Sequence, residues 1–325
     1  MNRRILVGTA AIAAIAAILA VLPPAAAQTF PNRPVRFISA SPSGGTPDVS
    51  TRLVAEKLAG YWKQPVTVEP RPGADGQIAI EALKRVPADG YSLIVLGNGH
   101  LAISPSLVKN LQYDPVGDFA PASLIFTAPF LITVSAAGPY NSVPELVAAA
   151  RANPGKLAYG SINQGSIQQI AGAQLAHATA TQMFPVFYKE GSQLNTGIAN
   201  GDLAFAFWTL GSASAMVNAK RLKFIALAAP TRLASHPDIP TVAEAGGPPN
   251  LNISSWVGAL GLRGTPADVL ERISADMQRA MYEPDLKEKF RNLGLETAPS
   301  TPQGMAKFMA DELAKYADIV KKTGL

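Results

Sequence analysis

Apolar residues recur along this chain in two alternating rhythms. Val35–Ala40 is a short, continuous apolar run that opens into the polar stretch Ser41-Pro42-Ser43-Gly44-Gly45-Thr46-Pro47-Asp48. Val49, Leu53, Val54 and Leu58 then share one helical face. The exchange repeats, with strands at 66–69 and 92–96 around a helix at 76–85. Strands at 120–126 and 130–134 follow, set apart by Pro129. Next come helix 143–152, strand 157–160, helix 167–178, strand 183–188, helix 192–200, strand 204–208, helix 212–219 and strand 223–229. After a strand at 255–260 the tail is helical, at 266–281, 285–292 and 302–322. Strands alternating with helices predict βαβ units and an α/β fold with parallel sheets.

Ahead of this pattern, Arg3 and Arg4 precede an apolar run from Ile5 to Leu22, closed by Pro23-Pro24 and Ala25-Ala26-Ala27 before Gln28. Basic, apolar, then small residues is the layout of a cleavable secretory leader. Residues 1–27 are therefore read as a signal peptide and the mature chain as a soluble periplasmic protein. The apolar run is also long enough to span a bilayer, so a retained anchor is the alternative. The general secretory and twin-arginine routes both remain open.

Composition narrows the class. Lys and Arg number 28 against 23 Asp and Glu, a net charge of +5 that falls to +3 once Arg3 and Arg4 leave with the leader. No stripe of basic residues interrupts the sequence, which excludes a nucleic-acid partner. There is no cysteine, hence no disulfide and no lipid carried on cysteine, and stability must come from the core. A chain of this length builds such a core and predicts two domains. His100, His177 and His236 stand far apart, and no H-x-x-x-H spacing calls for zinc. Nucleophile-elbow, P-loop and dinucleotide fingerprints are absent. No catalytic residue, metal or cofactor is assigned, although a dispersed Ser-His-Asp triad is recognised only by geometry.

What recurs instead is a polar loop between a strand and a helix. Gly44 and Gly45 allow close backbone approach, and the helix that follows presents free N–H groups at its positive end, a setting suited to a carboxylate. Gly160-Ser161-Ile162-Asn163-Gln164-Gly165-Ser166 leads into the helix at 167. Gly97-Asn98-Gly99-His100 and Lys189-Glu190-Gly191-Ser192-Gln193 close two further strands. In open parallel sheets ligands gather at the carboxyl ends of strands. Each loop also has a purely structural reading as turn and cap chemistry. Asp48 either caps its helix or meets a ligand, His100 either satisfies a buried neighbour or lines a site, and Trp208 is either core or wall.

The residues also carry a resemblance. Pro42-Ser43-Gly44-Gly45-Thr46-Pro47-Asp48, Glu69-Pro70-Arg71-Pro72-Gly73-Ala74, Pro87-Ala88-Asp89-Gly90-Tyr91 and Tyr113-Asp114-Pro115 mark the first half. Asn153-Pro154-Gly155-Lys156-Leu157, Tyr188-Lys189-Glu190-Gly191, Ile239-Pro240-Thr241-Val242-Ala243-Glu244-Ala245-Gly246 and Gly264-Thr265-Pro266 mark the second. In order and spacing over residues 30–325 they resemble the Bug or TctC-like substrate-binding proteins of tripartite tricarboxylate transporters.

That resemblance implies a two-lobed periplasmic-binding-protein fold of type II, a Venus flytrap with the ligand in the cleft. One lobe is expected from 28–126 with 245–325 and the other from 127–244, with crossings near Thr127 and between Ala229 and Ser255. It implies capture of a small organic carboxylate, delivered as a monomer to the large and small permease subunits. The implied contacts are Ser41, Ser43, Gly44, Gly45, Asp48, Asn98 and His100 in one lobe. In the other they are Ser161, Asn163, Gln164, Gly165, Ser166, Tyr188, Ser192 and Trp208. Many relatives carry Asp-Asn where this chain has Trp208-Thr209. Losing that aspartate removes a partner for an ammonium and offers a flat apolar surface, which leans the ligand toward an aromatic or medium-chain acid. A sensor module for the same solute and an exported hydrolase are the alternative roles.

Overall fold

The computed structural model describes residues 30–325; the leader and its cleavage point before Gln28 lie outside the described residues. In chain order the elements are β1 (Val35–Ser39), α1 (Thr46–Trp62), β2 (Val66–Pro70), α2 (Gln77–Lys84), β3 (Ser92–Gly97), the short α3 (Ser104–Leu107) and β4 (Phe119–Ser135). Then follow α4 (Val143–Ala152), β5 (Leu157–Ile162), α5 (Ile167–Ala178), β6 (Met183–Tyr188), α6 (Gly191–Asn200), β7 (Phe205–Thr209), α7 (Leu210–Asn218) and β8 (Leu222–Leu227). The chain closes with β9 (Ser254–Leu262), α8 (Ala267–Tyr282), α9 (Pro284–Asn292), β10 (Glu296–Thr297) and α10 (Pro302–Thr323).

The molecule is α/β and two-lobed, and one strand serves both lobes. In the first, β1 lies parallel between β2 and β3, β9 runs antiparallel between β3 and β4, and β10 edges β4. In the second, β6, β5 and β7 are parallel, and β4 runs antiparallel to β7 and β8. The two strands expected on either side of Pro129 are a single element. Pro129 is tolerated because it falls where the ladder changes partner: it faces Ser254 of β9, and Phe130 already faces Thr209 of β7. A residue without an N–H is admissible where no regular ladder bond is required.

Thr127 still pairs with Trp256 and Glu296 in the first lobe, so we set the outgoing crossing at Pro129–Phe130. The return runs beside it, with Phe130 N–H donating to the Ile253 carbonyl at 2.9 Å and Ile253 N–H donating to the Ala228 carbonyl at 2.9 Å. Leu251 and Ile253 belong to the second-lobe core. We therefore set the return at Ile253–Ser254, within the window of Ala229 to Ser255 given for the crossing but later than the lobe boundary of 245.

Alternation along the strands builds a core on each sheet face. Val35 and Phe37 point to the side covered by α1, α8 and α9, while Ile38 and Ala40 point toward α2 and α10. In β7, Phe205 and Phe207 pack with Leu175 of α5, and Ala206 and Trp208 pack with Leu194 of α6 and Ala213 of α7. The lobes also touch away from the crossings. Ile170 of α5 is fully buried in the first-lobe cluster that holds Leu101, Met309 and Tyr316. A β-carbon at Gly165 would lie 3.2 Å from Leu107 Cδ1, and one at Gly211 would lie 2.7 Å from the Leu293 carbonyl oxygen. All four strand-to-helix loops read from sequence lie at carboxyl ends of their strands, the end where open sheets bind ligands.

Candidate functional site

The first loop is braced by its own carboxylate. Asp48, 1% exposed in the first turn of α1, accepts from Gly44 N–H at 3.0 Å and from Arg52 Nε and Nη2 at 2.9 and 3.0 Å. Burial raises the Asp48 pKa, but the bonds from Arg52 and Gly44 outweigh it and hold the group below the usual carboxylate range. Gly44 sits at φ +78°, where a side chain is strained, and Gly45 N–H donates to the Pro42 carbonyl at 3.2 Å. Gly45 is also the N-cap of α1 and supplies no side-chain acceptor. Ser41 donates its N–H to Ser39 Oγ at 3.2 Å, and Ser43 is exposed at the tip. Asp48 shapes this loop while the open end of α1 remains free of a side-chain cap.

Asn98 and His100 face their own lobe. Asn98 donates from Nδ2 to the Ser254 carbonyl at 3.3 Å, tying β3 to the return crossing. The His100 ring lies against Gly76, where a β-carbon would be 2.5 Å from Cδ2. Its Nδ1 accepts from Gly97 N–H at 3.5 Å, and burial lowers its pKa despite the opposing charge of Asp75. Neutral imidazole is thus favoured.

The second-lobe loop is the most organised. Asn163 at φ +63° and Gly165 at φ +77° curl the backbone between β5 and α5. Ser161, fully buried, holds Ser166 Oγ at 2.7 Å. Ser166 is the N-cap of α5 but makes no side-chain capping bond. The run Ser166-Ile167-Gln168-Gln169 has the Ser-x-x-Gln spacing of a capping box, yet neither of the box's two bonds forms. Gln169 Oε1 reaches back to Gly165 N–H at 2.7 Å while Ser166 turns to Ser161. The first-turn N–H groups of α5 are left without a side-chain partner. By contrast Ser142, Thr209 and Thr301 cap α4, α7 and α10 with their own hydroxyls. Asn163 and Gln164 are exposed beside the opening. Gln169 was missed in the sequence, and its signal was that spacing.

The remaining residues lie on the α6 side. Ser192 is exposed on the first turn, and α6 also lacks a side-chain cap. The Tyr188 hydroxyl packs toward Gly197 of the same helix, where a β-carbon would be 2.5 Å away. Trp208 is 6% exposed within an apolar cluster, and its Nε1 is buried with no hydrogen-bond partner. The side chain is packed into the second-lobe core between the sheet and α6.

Among the described residues no group of side chains is arranged to hold a metal ion. No helix there is long and apolar enough to cross a membrane. A cavity of about 500 Å³ is lined by Arg36, Arg71, Gln77, Ile78, Glu81, Ala82 and Arg85, and by none of the loop residues.

A family model described as the tripartite tricarboxylate transporter family receptor matches residues 50–325. The chain belongs to that receptor family. Protein BugT of Bordetella pertussis is 28% identical over 323 residues, spanning 98% of this chain and 95% of its own. Among solved structures, Rpa4515 of R. palustris with adipate is 28% identical with a TM-score of 0.78, covering 91% of this chain and 98% of that one. A TctC solute-binding protein from Polaromonas, 24% identical with a TM-score of 0.79 over 90% and 100% of the two chains, shares the fold. The family comprises solute receptors and not enzymes, so this receptor is a solute-binding protein of the TctC and Bug type.

Proposed function

We propose that this receptor captures a small organic carboxylate between its lobes in the periplasm and, as a monomer, hands it to the large and small membrane subunits of a tripartite transporter. The observation that carries this reading is the open end of α5, where Ser161 holds the Ser166 hydroxyl away from the cap. Free N–H groups and the positive end of the helix dipole suit a carboxylate. The proposed loops contain a single Lys or Arg, Lys189, so recognition falls to backbone amides, hydroxyls and dipoles. Ser43, Gly44 and Gly45 frame the open end of α1. Ser161, Asn163, Gln164, Gly165 and Ser166 frame that of α5, and Ser192 with Trp208 that of α6. Asp48, Asn98, His100 and Tyr188 hold the loops in shape. The adipate-bound relative supports a medium-chain acid, whereas Trp208, buried in the second-lobe core, gives no platform for aromatic stacking.

A thermal-shift screen of protein recovered from periplasmic extract tests the reading. The panel holds succinate, malate, citrate, adipate, hexanoate and benzoate, with glucose and putrescine as non-acid controls. A ligand of the folded state raises the melting temperature, and the expected result is a rise with at least one acid and none with the controls. A rise with glucose or putrescine alone overturns the proposal.

A further inference from the structure

Helix α5 serves two cores. Ala171 and Leu175, one turn apart, are buried in the second-lobe core with Tyr159 and Phe205. Ile170 is turned about 100° from Ala171 around the helix axis and is buried instead in the first-lobe core, with Leu101, Met309 and Tyr316. None of its surface is exposed. Ile167, one turn earlier, packs against both cores. The helix thus holds to its own sheet with one face and reaches into the other lobe with the next.

The same turn carries the open end proposed to receive a carboxylate. Ile170 N–H donates to the Ser166 carbonyl at 3.1 Å, closing the first turn of α5, and the two residues stand about 6 Å apart along the axis. This turn is fixed to the second lobe. Tyr159 of β5 donates from its hydroxyl to the Gln169 carbonyl at 3.2 Å, and its ring lies against Gly172, where a β-carbon would be 2.2 Å from Cε2. On the first-lobe side, Leu101 belongs to a π-helical turn, Gly99–Ile103, that also carries His100. Isolated turns of this kind are frequent at functional sites. α10 packs on both that turn and α5. Ile170 therefore occupies a socket built from α10 and the continuation of the first-lobe loop.

We propose that Ile170 is a positioning residue for ligand capture: seated in the first-lobe socket it holds the open end of α5 in place at the closed cleft, and it withdraws when the lobes part. The proposal rests on the carboxylate-capture reading above. Ala171, Leu175 and Tyr159 keep α5 with the second sheet, while the lobes are joined by strand crossings at Pro129–Phe130 and Ile253–Ser254. Parting the lobes about those crossings draws one side chain out of the other lobe's core and exposes apolar surface on both sides, which is unfavourable. The contact favours closure without touching the ligand. Its loss therefore weakens the binding of every acid by the same factor.

The chain has no cysteine, so a single introduced thiol reports its own burial. Ile170→Cys, with Leu175→Cys as a control in the second-lobe core, is treated with N-ethylmaleimide. Each is measured without acid and with a saturating amount of the panel acid that gives the largest thermal shift. Local opening sets the rate, so the thiol at 170 is expected to react faster than that at 175 and to gain the larger protection from the acid. Ile170→Ala is expected to bind each acid about tenfold more weakly, the scale of about two buried methylenes. Ile170→Val, which keeps most of the side chain, should bind like the wild type, and Leu175→Ala should lose melting temperature with affinity unchanged. Equal reactivity at 170 and 175, with and without acid, would make Ile170 part of a permanent core and overturn the proposal while carboxylate capture stands. Wild-type affinity in Ile170→Ala would overturn it as well. Failure of every panel acid to bind the wild-type protein removes the proposal together with the reading it rests on.

Discussion

Ser161 Oγ and Ser166 Oγ lie 2.7 Å apart, and this contact is what leaves α5 without a side-chain cap. The same residue type caps α4 in the usual way, with Ser142 Oγ accepting from Glu145 N–H at 3.3 Å. The two serines therefore separate binding from stability.

Ser166→Ala is expected to weaken carboxylate binding about tenfold, since a hydrogen bond to a charged group is worth about 1.5–3 kcal/mol. Its effect on the melting temperature should be small. Ser142→Ala should do the reverse, losing about 1 kcal/mol of stability with affinity unchanged. Calorimetry and denaturant titration on both variants check the contrast, which fails if the two respond alike.

Asp48 governs the first loop through charge. Its folded-state pKa is lowered, so its stabilising contribution is present above the unfolded value, about 4, and is lost as pH falls through the folded value. Asp48→Asn should be less stable than wild type at pH 7, and the gap should narrow as the pH falls below about 4. It should also loosen Gly44 and weaken ligand binding. A stability gap that stays constant from pH 7 to pH 3 would show that the charge on Asp48 is not what braces the loop.

His100 supplies a second pH dependence. Burial lowers its pKa, with Asp75 opposing, so the unfolded chain takes up a proton first as pH falls below about 6.5. Stability from this group is full above that value and declines as pH drops toward the folded pKa. His100→Gln should flatten the slope of stability between pH 7 and pH 5. An unchanged slope would place the dependence elsewhere.

Gly211 and Gly294 bring the lobes together without touching the proposed ligand. A β-carbon on Gly294 would fall 2.6 Å from Gly211 N, and Gly294 itself sits at φ +72°. Gly211→Ala is therefore expected to hold α7 away from the turn after α9 and to lower affinity several-fold by opposing closure. Small-angle scattering with saturating ligand should show a larger radius than wild type. Equal radii and equal affinities would exclude this contact from closure.

Much of the architecture was legible in the sequence because period-two and period-3.6 patterns mark strands and helices directly. The order from β1 to α10 follows those patterns, apart from the short α3 and β10, which are too brief to show a period, and the fold class followed from their alternation. Pro129 misled, because a proline read locally breaks a strand, whereas here it stands where β4 changes ladder partner. The position of the return crossing within its window from Ala229 to Ser255 was not readable, since the Leu251 and Ile253 side chains do not declare which core they enter. In the site, loops were readable and side-chain directions were not. Ser166 read as a ligand contact, Asp48 as a cap or a contact and Trp208 as core or wall. Only packing shows that Ser161 diverts the first, Arg52 engages the second and α6 covers the third.

The most direct measurement is a crystal structure of the protein with the acid that gives the largest thermal shift. The account predicts a carboxylate oxygen between the lobes, at hydrogen-bond distance, roughly 2.7–3.2 Å, from the N–H of Gln168 or Gln169 and close to Ser166. Density for the acid in the cavity beside Arg36, Arg71 and Arg85, with the end of α5 left to solvent, would contradict it.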